Sequence, residues 1–483
     1  MTDIIEIEKV NEVFIKLYCE RGLAYEIKDY FTFKVPNYQF IPAYRNKLWD
    51  GNIYLYNPQT SLLYAGLIDT LKEFCQQRNY KLNYRSDFDI EPITDKQIDS
   101  FFKSLKMTME PRDYQIEAFR ECVNNHRKLL LSPTGSGKSF IIYLLTRYFN
   151  TKTLVIVPTT SLVHQLYSDF ISYGYDDVDN MHKIFEGQSK TTKSNIIIST
   201  WQSIYKQPKT WFKQFNMVVG DEAHLFKAKS LTTIMTGLVD CKYRFGFTGT
   251  LDGSNTHKLM LEGLFGSVKK VTTTSKLIEE KVLSNFSIKS IVLNYPDEIK
   301  KHVTKLNYQE ELEYIVTNPD RNRFITNLAS SLEGNTLLLF QFVDKHGKVL
   351  NDMLVKLNKK KVYFVHGKVE GADREKIRKL VEKDNNCIIV ASYGTFSTGI
   401  NIPNLHNIIF SSPSKSKIRN LQSIGRGLRK AKNKEQSVLY DISDDLSWKT
   451  KKNFTLLHYI ERIKIYNEEK FDYQIFKFDL KIK

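Results

Sequence analysis

The sequence predicts an α/β chain in which two parallel-sheet domains follow a small α+β domain, and three observations predict it. From about residue 109 onward, short apolar runs of strand length alternate with helical patterns. The first 110 residues instead carry broken aromatic and β-branched runs, punctuated by Pro36, Pro42, Gly51 and Pro58. A length of 483 residues with 41 % hydrophobic content is enough for about three domains, each with its own core. No apolar run approaches the ~20 residues that span a bilayer. The first ten residues carry three acids and one Lys, the wrong sign for an export signal. The chain is therefore expected in the cytoplasm, with no membrane partner.

Charge divides the chain in the same way. The total is +17, from 71 Lys and Arg against 54 Asp and Glu. Residues 1–110 hold 14 basic and 16 acidic side chains, 111–285 hold 22 and 15, and 286–483 hold 35 and 23, so the whole excess lies after residue 110. It predicts a polyanionic partner, nucleic acid first. Five scattered cysteines without a C-x-x-C pair, and ten histidines without H-x-x-x-H spacing, offer no local zinc or iron–sulfur ligand set.

Taken in order, residues 1–108 read as the small domain. Val13–Tyr18, Tyr30–Val35 and Asn52–Tyr56 are its strands and Ile68–Gln77 its helix, and a polar stretch from Asp87 to Asp99 leads out of it. Its 19 aromatics fill a small core or, at Tyr44 and Trp49 beside Arg45 and Lys47, stack on bases. Residues 109–285 form the first parallel-sheet domain, with strands at Leu129–Leu131, Leu154–Val157, Ile196–Ile198, Met217–Val219 and Tyr243–Phe247. Residues 286–445 form the second, with strands at Thr336–Phe340, Lys361–Val365, Cys387–Ala391, Asn407–Phe410 and Ser437–Asp441. Residues 446–483 read as one amphipathic helix and a short tail.

The chemistry is concentrated in three segments. Ser132-Pro-Thr-Gly-Ser-Gly-Lys-Ser139 lies between an apolar strand and a helical pattern, where a glycine-rich loop becomes a phosphate cradle. Pro133, Thr134, Gly135, Ser136 and Gly137 supply the backbone of the cradle, Lys138 a point charge and Ser139 a hydroxyl for Mg2+. The first position is Ser132 where the usual pattern has Gly. About 80 residues on, Met217-Val-Val-Gly-Asp-Glu-Ala-His224 ends a strand on two acids. Asp221 is placed to hold Mg2+ and Glu222 to deprotonate the attacking water of ATP hydrolysis. Gln422-Ser-Ile-Gly-Arg-Gly-Leu-Arg429 sets Arg426 and Arg429 on one helix face, where they serve as arginine fingers or, equally, as a phosphate-binding basic surface.

Those three segments, in this order, resemble the superfamily 2 helicases and translocases, and the resemblance implies two RecA-like domains that close on ATP. It extends to further positions. Arg112, Tyr114 and Gln115 resemble the adenine-recognising motif. Pro158, Thr159 and Thr160, with Thr200 and Gln202, resemble the motifs that grip one strand of nucleic acid. Thr248, Gly249 and Thr250 stand where hydrolysis is coupled to strand movement, with His224 as a coupling residue and Gln422 in the catalytic set. Ser392-Tyr-Gly-Thr-Phe-Ser-Thr-Gly-Ile-Asn-Ile-Pro403 is similar to motif V. Ser392 and Thr395 there imply strand contacts and Gly399 and Asn401 nucleotide contacts, although many members have Asp where this chain has Asn401.

Asp-Glu-Ala-His does not choose between DNA and RNA. Asn37-Tyr-Gln-Phe-Ile-Pro-Ala-Tyr-Arg-Asn-Lys-Leu-Trp-Asp-Gly51, Thr200-Trp-Gln-Ser203 and Gln207-Pro-Lys-Thr-Trp211 add a nearly end-to-end resemblance to the fork-remodelling helicases of tailed phages. It implies a monomer, in the host cytoplasm if phage-encoded, that uses ATP and Mg2+ to unwind and branch-migrate branched or forked DNA, with RNA–DNA hybrids as further partners. Competing expectations are a double-strand translocase or RNA helicase on the same motor, and a nucleic-acid clamp that binds ATP without hydrolysing it.

Overall fold

The structure, a computed structural model, describes residues 3–482 except 252–254, 368, 370, 398–401, 403, 414, 415, 417–423, 426, 427, 429–433 and 435. The chain folds as two compact units, Met1–Ser132 with Gly137–Val271, and Pro133–Ser136 with Thr272–Lys483.

The first unit opens with a mixed sheet. Its strands are β1 (Ile4–Lys9), β2 (Phe14–Tyr18), β5 (Tyr56–Asn57), β6 (Leu62–Tyr64) and β7 (Lys81–Tyr84), in the order β5-β6-β2-β1-β7; β3 (Thr32–Lys34) and β4 (Asn52–Tyr54) pair separately as an antiparallel ribbon. Alternation sets the buried face: Ile5, Ile7, Ile15 and Leu17 point inward beneath the helices Arg21–Tyr30 and Ile68–Arg78, where Phe31, Leu71 and Phe74 complete the core. Of the 19 aromatics expected to fill a core or stack on bases, Phe31, Tyr56 and Phe74 are buried in this core, and Tyr30, Phe33, Tyr64, Tyr80 and Phe88 pack against it half-buried. The sequence reading missed β1, although Ile-Ile-Glu-Ile-Glu-Lys carries the period-2 signal of a half-buried strand.

The same unit continues into a seven-stranded sheet, all parallel, as the alternating pattern predicts. Its strands are β8 (Arg127–Leu131), β9 (Thr153–Val157), β10 (Met181–Ile184), β11 (Ile196–Thr200), β12 (Met217–Asp221), β13 (Tyr243–Thr248) and β14 (Val268–Lys270), ordered β10-β11-β9-β12-β13-β8-β14. Each central strand is buried on both faces. Leu130, Val155, Val157 and Val219 pack into one core, and Leu129, Leu154, Ile156 and Val218 into the other. The small mixed-sheet layer sits directly on this part. Gly66 lies so close to the Glu262 and Gly263 carbonyls that a Cβ could not fit. Glu12 Oε2 pairs with Arg127 at 3.1 Å, and the Ser267 hydroxyl donates to Asp69 at 2.9 Å.

The second unit is built on another all-parallel seven-stranded sheet. Its strands are β15 (Asn285–Asn294), β16 (Thr336–Phe340), β17 (Lys361–Val365), β18 (Cys387–Ser392), β19 (Asn407–Phe410), β20 (Gln436–Asp445) and β21 (Tyr473–Asp479), ordered β17-β18-β16-β19-β20-β15-β21. The end of the chain differs from expectation, because the tail after the helix Phe454–Glu468 is a strand that pairs with β15 from Ile288↔Tyr473 to Asn294↔Asp479. Most β21 side chains are exposed, so its pairing comes from the edge that β15 offers rather than from burial of a face. The helix before it is fastened by charge. Arg462 bonds Asp441 at 2.8–2.9 Å, the Tyr466 hydroxyl donates to Asp441 at 2.9 Å, and Glu311 accepts from the Thr455 amide and hydroxyl, each at 2.8 Å. Among the described residues no helix is long and apolar enough to cross a membrane.

Candidate nucleotide and nucleic-acid site

In the first unit the residues singled out by sequence converge because the strands are in register. Across the sheet, Thr200 is level with Val157, Gly220 with Ile156, Asp221 with Phe247, and Thr248 with Leu131. The segments of this unit that leave these strands are Pro158–Thr160, Thr200–Gln202, Asp221–His224, Thr248–Thr250 and Ser132. All therefore emerge at one edge, the carboxyl end of a parallel sheet, where α/β proteins place ligands.

The glycine-rich loop is tied to the sheet by Ser132 N donating to Thr248 O at 2.8 Å. Gly135 and Gly137 have φ of +85° and +80°, left-handed values that a side chain would strain. Gly137 also caps the helix Lys138–Phe149, whose first amides are free of intrahelical partners. Ser136 closes the turn by donating its hydroxyl to Pro133 O at 2.7 Å, and Lys138 Nζ reaches back to Ser132 O at 3.2 Å. Thr134 is half-buried on the loop. The Ser139 hydroxyl is 2.7 Å from the Tyr173 hydroxyl. No sequence signal links those two: they are 34 residues apart, and Tyr173 follows the end of another helix, Thr160–Ser172.

The helix Asp113–Asn125 brings the predicted adenine-reading residues to this loop. Arg112 N donates to Gln115 Oε1 at 2.9 Å, and Arg112 Nη1 to the Tyr114 hydroxyl at 3.3 Å. Gln115 is buried, with its Nε2 directly over Gly137, so that a Cβ on Gly137 would collide with it.

Beyond β12, Glu222 takes a left-handed φ of +51°, a conformation uncommon outside glycine. A short chain of contacts leads from it. His224 Nδ1 lies 3.4 Å from Glu222 Oε2 and 3.0 Å from Thr248 Oγ1, and the Thr248 hydroxyl donates to Thr250 O at 2.9 Å. Because that hydroxyl spends its one proton on the Thr250 carbonyl, Nδ1 is the protonated ring nitrogen and is shared by two acceptors. His257 Nε2 fixes the backbone by donating to His224 O at 3.0 Å. His224, Thr248 and Thr250 are all buried, and Gly249 is half-buried between the two threonines.

At the positions expected to grip a strand, Thr159 caps its helix by accepting from Leu162 N at 3.4 Å, and Thr160 is exposed on the first turn, with Pro158 half-buried. Thr200 Oγ1 lies 2.9 Å from Ser203 Oγ, and Gln202 is exposed. In the second unit, Ser392 ends β18 level with Phe340. Its hydroxyl is 2.7 Å from that of Thr395, which is buried. Gly399, Asn401, Gln422, Arg426 and Arg429 lie outside the described residues. Around them Ile424 and Leu428 are buried, and Leu428 O accepts from Ser284 N and Oγ at 2.9 Å. Lys434 is buried too, and desolvation pulls its ammonium down to about 7.

Among the described residues, no cluster of three or more His, Cys, Asp or Glu could hold a metal ion. The oxygens of Ser139 and Asp221 nonetheless fit a hard cation that takes few protein ligands and completes its shell with water and phosphate.

Comparisons with known proteins cover nearly all of the chain. Residues 5–85 match the family described as DNA helicase UvsW, N-terminal; 108–253 match Type III restriction enzyme, res subunit; and 320–431 match the helicase conserved C-terminal domain. The ATP-dependent DNA helicase uvsW of Enterobacteria phage T4 is 38 % identical over 95 % of this chain and 96 % of its own. A DNA 3'-5' translocase of Sulfurisphaera tokodaii is 25 % identical over 72 % of this chain and 85 % of its own. The crystal structure of T4 UvsW matches with a TM-score of 0.52 at 34 % identity, covering 100 % of both chains.

Proposed function

Because the chain belongs to the UvsW family of ATP-dependent DNA helicases, we propose that its substrates are branched: forked DNA, Holliday junctions and R-loops, unwound and branch-migrated in recombination, replication and repair. The observation that carries this reading is the shared carboxyl edge of the first parallel sheet, from which the phosphate loop, the acid pair, the coupling threonines and the strand-gripping residues all emerge.

The residues divide the work. Gly135, Gly137 and Lys138 bind the phosphates, and Gln115 with Arg112 and Tyr114 reads the base. Glu222 takes the proton of the attacking water, and Arg426 and Arg429 balance charge on the departing γ-phosphate. Ser139 and Asp221 would hold Mg2+, which would supply positive charge against the phosphates when bound. The Glu222–His224–Thr248 contacts give the catalytic base a direct mechanical link to the next strand. Division of the chain into 1–108, 109–285, 286–445 and 446–483 assigns DNA selection to the first segment and the motor to the rest. The protein acts as a monomer in the host cytoplasm.

His224→Ala is expected to leave ATP hydrolysis within about threefold while unwinding per ATP falls by about 5- to 100-fold, the usual range of a coupling free energy. Equal losses in both would make His224 catalytic instead. Substrate class is tested by ATPase stimulation with single strands, forks, duplex and RNA. Forked DNA should stimulate most. Equal stimulation by RNA would favour an RNA helicase, stimulation by duplex alone a double-strand translocase, and ATP binding without phosphate release a clamp.

A further inference from the structure

The 35–51 connection between β3 and β4 is an ordered projection with two apolar side chains left on its surface. Its frame is closed by Val35 N donating to Gly51 O at 2.9 Å and by Trp49 Nε1 donating to Asn52 O at 2.7 Å. Gly51, at φ +83°, lies beneath the Tyr38 ring, and Tyr38 packs edge-on against Tyr44 with centroids 4.6 Å apart. The aromatics singled out from sequence, Tyr44 and Trp49, are thus half-buried parts of the frame.

Phe40 and Leu48 are the opposite case. At 64 % and 81 % exposed they are the two most exposed large hydrophobic side chains among the described residues. Neither contributes to the core beneath. Beside Leu48 runs an open groove of 630 Å³ between Gln39 and Trp49, roomy enough for a nucleobase.

Cations frame this apolar tip. Arg45 stands over the Phe40 ring at 5.9 Å and is braced by its Nε donating to Gln39 O at 3.2 Å; Lys34 stands over Tyr38 at 4.8 Å, and Lys47 is exposed. Between residues 34 and 51 the one acid is Asp50, whose carboxylate accepts from the Tyr54 hydroxyl and from Asn52 N and Nδ2. A segment with three cations and one committed acid therefore sits in a domain that is otherwise slightly acidic. Apolar wedge residues flanked by phosphate-binding cations are what a surface needs to unstack a base step and hold the strands on either side.

We propose that the 35–51 tip is a DNA wedge: Phe40 and Leu48 insert against the base pair at a branch point, and Arg45 and Lys47 grip the flanking phosphates. The proposal rests on the branched-DNA reading and gives it a physical reader. Stacking and shape do the selecting, since the domain lacks bulk positive charge.

The test uses the full chain with Phe40→Ala and Leu48→Ala together, two exposed positions whose truncation leaves the fold intact. Single-strand-stimulated ATPase should stay within about twofold, while unwinding of forks and four-way junctions falls at least about tenfold, as expected for losing base stacking. 2-Aminopurine placed at the branch should brighten with the wild type and not with the variant. Arg45→Ala with Lys47→Ala should lower the slope of log affinity against log salt by about 2. Wild-type fork unwinding and an unchanged 2-aminopurine signal in the double-alanine protein would overturn the wedge. Altered sedimentation with unchanged unwinding would assign the tip to a contact between copies and overturn it equally. A wild type that hydrolyses ATP but unwinds no branched substrate would instead sink the underlying reading.

Discussion

Glu222→Gln should abolish steady-state turnover, lowering kcat for ATP by about 10²- to 10⁴-fold, the range expected for loss of a general base. Nucleotide and DNA affinity should remain within a few-fold. The amide keeps the size of the side chain and an oxygen that can still accept from His224 Nδ1, so the link to Thr248 survives while basicity is lost. The left-handed backbone at Glu222 needs no adjustment, because Gln adopts it at the same cost. Phosphate release and equilibrium nucleotide binding, measured on one preparation, separate the two effects. Full turnover in this protein would remove Glu222 from the chemistry.

The largest stability effect is expected at Arg321, in the second unit. Its guanidinium is fully buried and makes a two-pronged pair with Asp444, Nε to Oδ1 at 2.7 Å and Nη2 to Oδ2 at 3.0 Å, while Nη1 donates to Ser411 O at 2.9 Å. The Tyr295 hydroxyl donates to the same carboxylate at 2.8 Å, and burial raises that phenol well above its usual range. Arg321→Met strands a buried carboxylate and should cost about 3–5 kcal/mol. At about 2–4 °C per kcal/mol for a unit of this size, the melting temperature falls by roughly 6–20 °C. Adding Asp444→Leu should recover much of the loss, because removing both charges removes the desolvation penalty too. Thermal unfolding of the three proteins checks this. A single variant as stable as the wild type would contradict it.

What the sequence made legible follows from burial. Strands covered on both faces, such as Leu154–Val157 and Thr336–Phe340, are written as unbroken apolar runs, and the loops after them carry the recognisable chemistry. The strand Ile4–Lys9 is just as readable, since its period-2 alternation buries Ile5 and Ile7 on one face. The strand Tyr473–Asp479 was not readable: its side chains are largely exposed, and only the free edge of Asn285–Asn294 makes it a strand. The same limit applies inside the site. Spacing can suggest Ser139 and Glu222, but the Tyr173 hydroxyl beside Ser139 and the His224 proton shared between Glu222 and Thr248 arise from tertiary packing alone. On the 35–51 tip, composition pointed at aromatics beside cations, and packing then decided which residues were frame and which were free.

The central claim, that ATP hydrolysis at the edge of the first sheet drives strand exchange in branched DNA, is tested most directly by branch migration of a four-way junction. Duplex products are expected with ATP and Mg2+, and none with a non-hydrolysable analogue or with Glu222→Gln, although the protein still binds the junction in both cases. Product formation with the analogue, or an inert junction under ATP hydrolysis at the full DNA-stimulated rate, would contradict it.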